Sequence, residues 1–269
     1  MEAYSVSIYF DFPNSSSIVS ARGLRRFLQK LSFGLLIVFF ETAGYTKPMA
    51  DYSKLDHFSL KAQKEGYPAR SVYKLKEMDE KFGLLKSARL KARVPFKVLD
   101  LGAAPGSWSL YVLRKLSGPQ SGGGPSPLTL SEPSLVSIDL APLSRQHDQG
   151  LFEKSAFLFI QGDFTIPEIR ETILSHGPYN LVLSDAAPAT TGNRSVDTLR
   201  SLDLAETVLD YAEAALAKTG NMALKVFQGG DTGALLKKIR GLFETGKSFK
   251  PQACRSESFE TYYLGLGKK

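Results

Sequence analysis

The chain has 269 residues, enough for one large α/β domain with a sizeable core, and 43% hydrophobic against 23% charged residues marks a folded globule rather than a disordered chain. The single Cys254 excludes an internal disulfide and any multi-cysteine metal site, and His57, His147 and His176 lie too far apart to show metal-ligand spacing. The formal net charge of +7 suits an anionic partner such as nucleic acid without identifying one.

Residues 1–48 differ from the rest. Arg22, Arg25, Arg26 and Lys30 precede an apolar run at 31–40 (LSFGLLIVFF), the charged-then-apolar layout of a targeting segment, but no small-residue cleavage site follows. That run is too short for a membrane span, which needs about 20 apolar residues. The alternative is a biological start at Met49. Either way 1–48 is expected to be a non-catalytic extension and 49–269 the functional domain. A start at Met49 suits a cytoplasmic protein, and a genuine extension suits an organelle.

Residues 54–97 hold twelve basic side chains against five acidic ones, a surplus equal to that of the whole chain. Lys61, Lys64, Arg70 and Lys76 belong to this segment, which is expected to be helical in part. A second basic stretch, 237–255, has Lys237, Lys238, Arg240, Lys247, Lys250 and Arg255 against Glu244 alone. Charge runs are usually solvated faces. Two of them flanking a balanced domain favour a polyanion groove.

Along the domain, Val72, Leu75, Met78 and Phe82 at three-to-four spacing predict a helix over 69–82, closed by Gly83. A short buried strand is expected at 96–101 (FKVLDL), then a glycine-rich turn and a helix over 107–116. The Gly-, Pro- and Ser-rich stretch 117–134 predicts a loop. Strands follow at 135–140, 156–161, 179–184 and 222–227. A long helix is expected over 197–217 with Gly220 as its stop, and another over 232–243. Two last strands, near 248–252 and 261–266, have no helix between them and should form an antiparallel hairpin at a sheet edge. The alternation predicts a mostly parallel, doubly wound α/β sheet with its ligand site at the carboxyl ends of the strands.

The first strand runs into Asp100-Leu101-Gly102-Ala103-Ala104-Pro105-Gly106-Ser107-Trp108. This is neither Gly-x-Gly-x-x-Gly nor a Walker loop. An acid at the strand end followed by Gly-x-x-Pro-Gly is how many S-adenosylmethionine-dependent methyltransferases cradle their cofactor. Asp139, ending the second strand, can accept from ribose hydroxyls. Asp163, after the third, can accept from an adenine amine with Phe164 against the ring. Asp185 ends the fourth strand. Singly, each Asp is as readily a cap or turn residue. Together they converge on one crevice. Lys225 interrupts the apolar fifth strand (MALKVF), where a charge is unfavourable without a partner. By alternation it points to the same side as Ala223, which suits a crevice position beside Asp185 better than a snorkelling strand-end lysine.

Six motifs in order, ARSVYKL (69–75), DLGAAPGSW (100–108), QGDF (161–164), SDAAP (184–188), LKVFQG (224–229) and ETYY (260–263), resemble the RrmJ/FtsJ-type ribose 2′-O-methyltransferases of RNA over roughly residues 50–269. The resemblance implies a Rossmann-like methyltransferase fold with seven strands, an antiparallel edge hairpin and helices on both faces. It implies S-adenosyl-L-methionine as cofactor, held by Gly102, Ala103, Pro105, Gly106, Trp108, Asp139, Asp163, Phe164 and Asp185. It implies a catalytic tetrad on Lys74, Asp185, Lys225 and Glu260, with Lys225 as base or orienting group. No metal is called for, because the sulfonium supplies the leaving group. The expected partner is RNA, foremost a uridine of large-subunit ribosomal RNA, and the expected state is a monomer without membrane attachment. A tRNA substrate, a non-RNA substrate and a non-catalytic assembly factor with a vestigial pocket are the alternatives. Departures from the family pattern are Ser107 in place of a second Gly, Ala189 where Asn is common, and the length of the 117–134 loop. Glu257 rivals Glu260 for the glutamate position.

Overall fold

The computed structural model describes residues 56–86, 96–117 and 133–269. The expected extension 1–48, the start at Met49, the centre of the loop expected at 117–134, and Lys54, Arg89, Lys91 and Arg93 of the basic segment lie outside the described residues.

Helix α1 (His57–Lys64) is capped by Asp56, whose carboxylate accepts from the Ser59 amide at 2.9 Å. Helix α2 (Val72–Phe82) ends on Gly83 in the left-handed conformation. Then follow β1 (Val98–Leu101), α3 (Ser107–Leu116), β2 (Leu135–Asp139), β3 (Phe157–Gln161), α4 (Pro167–Ser175), β4 (Tyr179–Ser184), α5 (Arg194–Ala215), β5 (Leu216–Phe227), α6 (Thr232–Leu242), β6 (Phe243–Phe249) and β7 (Glu260–Lys268). The seven strands form one sheet in the order β3-β2-β1-β4-β5-β7-β6. β1 to β5 are parallel, and β7 is antiparallel to both its neighbours. The doubly wound sheet and the edge hairpin expected from the sequence are both present. The strand order reverses between β1 and β4, which opens a crevice at their carboxyl ends.

Each face of the sheet buries its own apolar cluster. On one, Leu75 and Met78 of α2 and Leu110 and Leu113 of α3 meet Val98, Leu181, Ala223 and Tyr262. On the other, Ala205, Val208 and Leu209 of α5 and Leu235 and Ile239 of α6 meet Leu99, Val182, Leu224 and Val226. Alternation along β5 thus assigns Ala223, and with it Lys225, to the α2/α3 face.

Several boundaries differ from the sequence reading. α2 starts at Val72 rather than 69, because the preceding turn is clamped to α3: the Ser107 hydroxyl accepts from the Ala69 amide at 2.8 Å, and the Trp108 indole donates to the Ser71 carbonyl at 2.8 Å. α5 starts earlier, at Arg194, where Asn193 accepts from the Ser195 and Val196 amides. Gly220 is no helix stop. It lies inside β5 at the register shift against β4, where a Cβ would sit 2.9 Å from the Ala217 carbonyl oxygen and 3.1 Å from that of Asn180. β6 begins at Phe243, buried directly after α6, so it precedes the expected 248–252. α1 and α4 were not expected as separate helices, although Pro167 in the first turn of α4 is a recognised start signal.

Candidate active site

The glycine-rich turn leaves β1 at the switch point. Gly102 has φ +78°, and a Cβ there would fall 2.6 Å from Ala186 Cβ and 2.7 Å from Ala186 Cα. Only glycine lets the backbone after β1 lie this close to the segment after β4. Asp139 braces the turn: one carboxylate oxygen accepts from the Ala104 amide and the other from the Ala141 amide, both at 2.9 Å. Asp163 accepts from the amide and hydroxyl of Thr165, at 2.9 and 2.7 Å, both on Oδ1.

Gly102, Asp139, Asp163 and Phe164 line a cavity of about 500 Å³, together with Ala186 and the α5 residues Arg200 and Asp203. That volume lies within the usual range for a small-molecule site. Ala103, Pro105 and Gly106 shape the turn without lining the cavity. Trp108 does not line it either; it is buried, and its ring lies 5.9 Å from that of Tyr262. Asp185 stands beside the cavity, one residue before the lining Ala186. Phe164 is buried edge-on to Tyr211 at 6.2 Å. The walls fit S-adenosylmethionine: a glycine that admits a ligand against bare backbone, and two carboxylates with lone pairs to spare, since an ionised carboxylate accepts about four hydrogen bonds.

The four residues expected as a tetrad come together in two pairs. The Lys225 ammonium donates to the Asp185 carbonyl at 2.5 Å and lies 3.2 Å from Asp185 Oδ1. Lys74 of α2 pairs with Glu260, the first residue of β7, at 2.7 Å. Glu257 is exposed and is not the partner. A fifth member escaped the sequence reading. Tyr262 donates its hydroxyl to Asp185 Oδ1 at 2.6 Å, and the Lys74 ammonium sits 5.8 Å from its ring centre. The signal for it was the alternation of ETYY, which puts Tyr262 and Glu260 on one face of the sheet.

Burial sets the electrostatics of this group. It pushes the Asp185 carboxyl up, but Lys225, Lys74 and the Tyr262 hydroxyl outweigh it and hold Asp185 below the usual carboxylate range. Burial likewise works against the Lys74 ammonium, and Asp185 and Glu260 overcome it, so Lys74 keeps its proton more firmly than a free lysine. Burial, then the neighbouring Asp185 and Glu260 carboxylates, raise the Tyr262 phenol well above its ordinary value. Tyr262 therefore keeps its proton and donates it in a hydrogen bond to Asp185.

Asp100, at the end of β1, is wholly buried. Its Oδ2 accepts from Ser109 at 2.7 Å, and Oδ1 has no hydrogen-bond partner among the described residues. Burial raises its pKa to about 7, Ser109 opposes the shift, and Asp185 and Asp139 add to it. Among the described residues no cluster of His, Cys, Asp and Glu could hold a metal ion, and no helix is long and apolar enough to cross a membrane.

Not all of the expected basic surface is free. Arg70 pairs with Asp56, donates to the Ala253 carbonyl at 2.5 Å and lies over Phe58. Lys76 pairs with Glu65 and lies over Tyr67 and Tyr73. Both brace the fold around α2; Lys61 lies 3.9 Å from Glu65 and over Tyr73 but stays exposed, as does Lys64.

A sheet in this order, with an acid-lined cavity at its switch point, is the build of the S-adenosylmethionine-dependent methyltransferases. Residues 67–268 match the FtsJ-like methyltransferase family, and the chain belongs to that family. It is 45% identical over 218 residues to ribosomal RNA large subunit methyltransferase E of Treponema denticola, covering 81% of this chain and 97% of that protein. It is 42% identical over 215 residues to the enzyme of the same name from Oleidesulfovibrio alaskensis, covering 80% of this chain and 92% of that one. A crystal structure described as that of a ribosomal RNA methyltransferase from Plasmodium falciparum shares the fold, with a TM-score of 0.55 at 23% identity over 75% of this chain and 98% of that one.

Proposed function

We propose that this chain methylates a ribose 2′-hydroxyl of large-subunit ribosomal RNA, a uridine being the expected nucleotide. The observation that carries the reading is the meeting of Lys225, Asp185, Lys74 and Glu260 beside the cavity, in a chain whose relatives are named for that RNA. S-adenosylmethionine, when bound, supplies a methyl group on a sulfonium, from which a neutral thioether departs. Asp139 would hold its ribose hydroxyls and Asp163 its adenine amine, with Phe164 against the ring.

A 2′-hydroxyl is a weak nucleophile that needs alignment and loss of its proton. Asp185 fixes Lys225 through its carbonyl and carboxylate. A lysine has three donor directions, so one is left for the substrate oxygen. Lys225 orients that oxygen, and in its neutral form takes the proton as the new C–O bond forms. Lys74, held protonated, and Glu260 tune Lys225 and border the ribose. Lys61 and Lys64 meet the phosphates.

The test is methyl transfer by the purified protein, with labelled cofactor, to large-subunit RNA from cells lacking the enzyme, and mapping of the product. A single 2′-O-methylated ribose supports the reading. Transfer to tRNA alone, or cofactor binding with no transfer, refutes it.

A further inference from the structure

Phe227 follows Lys225 by two residues on β5 and is the register partner of Glu260 on β7. Residues two apart on a strand, and direct partners across an antiparallel pair, point to the same face. Phe227 therefore stands on the tetrad's face of the sheet, about 7 Å further along the strand toward its open carboxyl end. The Phe259 ring packs on it with centres 4.6 Å apart, tilted by 60°. The Phe259 carbonyl accepts from the Gln228 amide at 2.7 Å, which pins its backbone to the end of β5. Over Phe259 lies the guanidinium of Arg194, the first residue of α5, 5.2 Å from the ring centre.

Burial falls steadily along this stack: Phe227 is buried, Phe259 half-buried and Arg194 exposed. No carboxylate among the described residues forms an ion pair with Arg194. An exposed guanidinium placed over an aromatic ring, with no hydrogen-bond or ion-pair partner for it among the described residues, near the end of the strand that carries Lys225, has the composition of a base-stacking subsite. Unpaired RNA bases are held by stacking on aromatic rings and on arginine planes.

We infer that Arg194 and Phe259, backed by Phe227, form the platform on which the base of the target nucleotide stacks while its ribose faces Lys225. This rests on the RNA reading above. It predicts recognition of an unpaired, flipped-out nucleotide rather than a base-paired one.

The test measures KM and kcat for large-subunit RNA, cofactor affinity by calorimetry, and binding of a short oligouridylate by fluorescence anisotropy. Phe259→Ala is expected to raise the RNA KM about tenfold or more, and Phe259→Trp to restore it, with cofactor affinity unchanged. Arg194→Ala, at an exposed position that does not threaten folding, is expected to weaken oligouridylate binding severalfold. If folded Phe259→Ala and Arg194→Ala keep the wild-type KM and oligouridylate affinity, the platform is refuted. If Phe259→Ala does not fold, Arg194→Ala decides alone by the same criteria. If the wild type methylates no RNA yet binds oligouridylate in a manner that Arg194→Ala weakens, the platform stands and the proposed activity falls.

Discussion

Lys225 and Tyr262 are register partners on β5 and β7, and both reach the carboxylate of Asp185, at 3.2 and 2.6 Å. One rung of the sheet thus positions the ammonium of a lysine and the acid that fixes it. The antiparallel insertion of β7 beside β5 is what makes this possible, since it brings Glu260 and Tyr262 to the strand carrying Lys225.

Lys225→Arg separates proton removal from charge. Arginine keeps the cation and its pairing with Asp185 but stays protonated at any working pH. Removing a general base lowers the rate about 10²–10⁴-fold. Lys225→Arg is therefore expected to lose transfer by at least about a hundredfold in single-turnover assays while calorimetry shows unchanged cofactor binding. Near-wild-type rates would reduce Lys225 to an orienting role.

Tyr262→Phe removes one hydrogen bond from a buried carboxylate. A bond to a charged group contributes about 1.5–3 kcal/mol net. The variant is expected to fold, with a lower melting temperature and a tenfold or greater drop in kcat as Asp185 loses its anchor. An unchanged kcat would show that Lys225 alone orients Asp185.

Lys74 and Glu260 are both largely buried, with side chains 11% and 12% exposed. Removing one partner of such a pair leaves the other charge uncompensated, at a cost of about 3–5 kcal/mol, whereas removing both is much milder. Urea unfolding of Lys74→Met, Glu260→Gln and the double variant is expected to show this non-additivity. Additive losses would mean that the two side chains do not interact in solution.

Asp100 links stability to pH. Its folded pKa of about 7 lies above the ordinary aspartate value of about 3.9, so between these values the folded state holds a proton that the unfolded state has released. This contribution is full below about pH 4, falls as pH rises toward 7 and is gone above it. Asp100→Asn is expected to flatten that part of the stability–pH profile, read from urea midpoints between pH 4 and 8. An unchanged slope would show that Asp100 is not the titrating group.

Much of this was legible in the sequence because it rests on local pattern. Strand alternation placed Lys225 on one face, and acids at successive strand ends marked the crevice. The tetrad residues were assigned by resemblance, and the structure brings all four together. Tyr262 was missed because the alternation of ETYY gives only its face, whereas its role depends on the register that sets it opposite Lys225, 37 residues earlier, which no local period encodes. Trp108, expected at the cofactor, is buried and braces α2 against α3, a contact made by tertiary packing that the motif does not display. The same holds for Arg70 and Lys76. As charges in a run they suggested phosphate contacts, but Asp56 and Glu65 occupy them. Helix α4 escaped notice because nine residues give too few turns for a clear period.

The most direct test of the account is the position of the transferred methyl. Purified protein, labelled cofactor and unmethylated large-subunit ribosomal RNA should yield one labelled ribose 2′-oxygen, found by nuclease digestion and mass spectrometry and absent with Lys225→Arg. Label on a base rather than a ribose, or equal labelling by the Lys225→Arg protein, would contradict it.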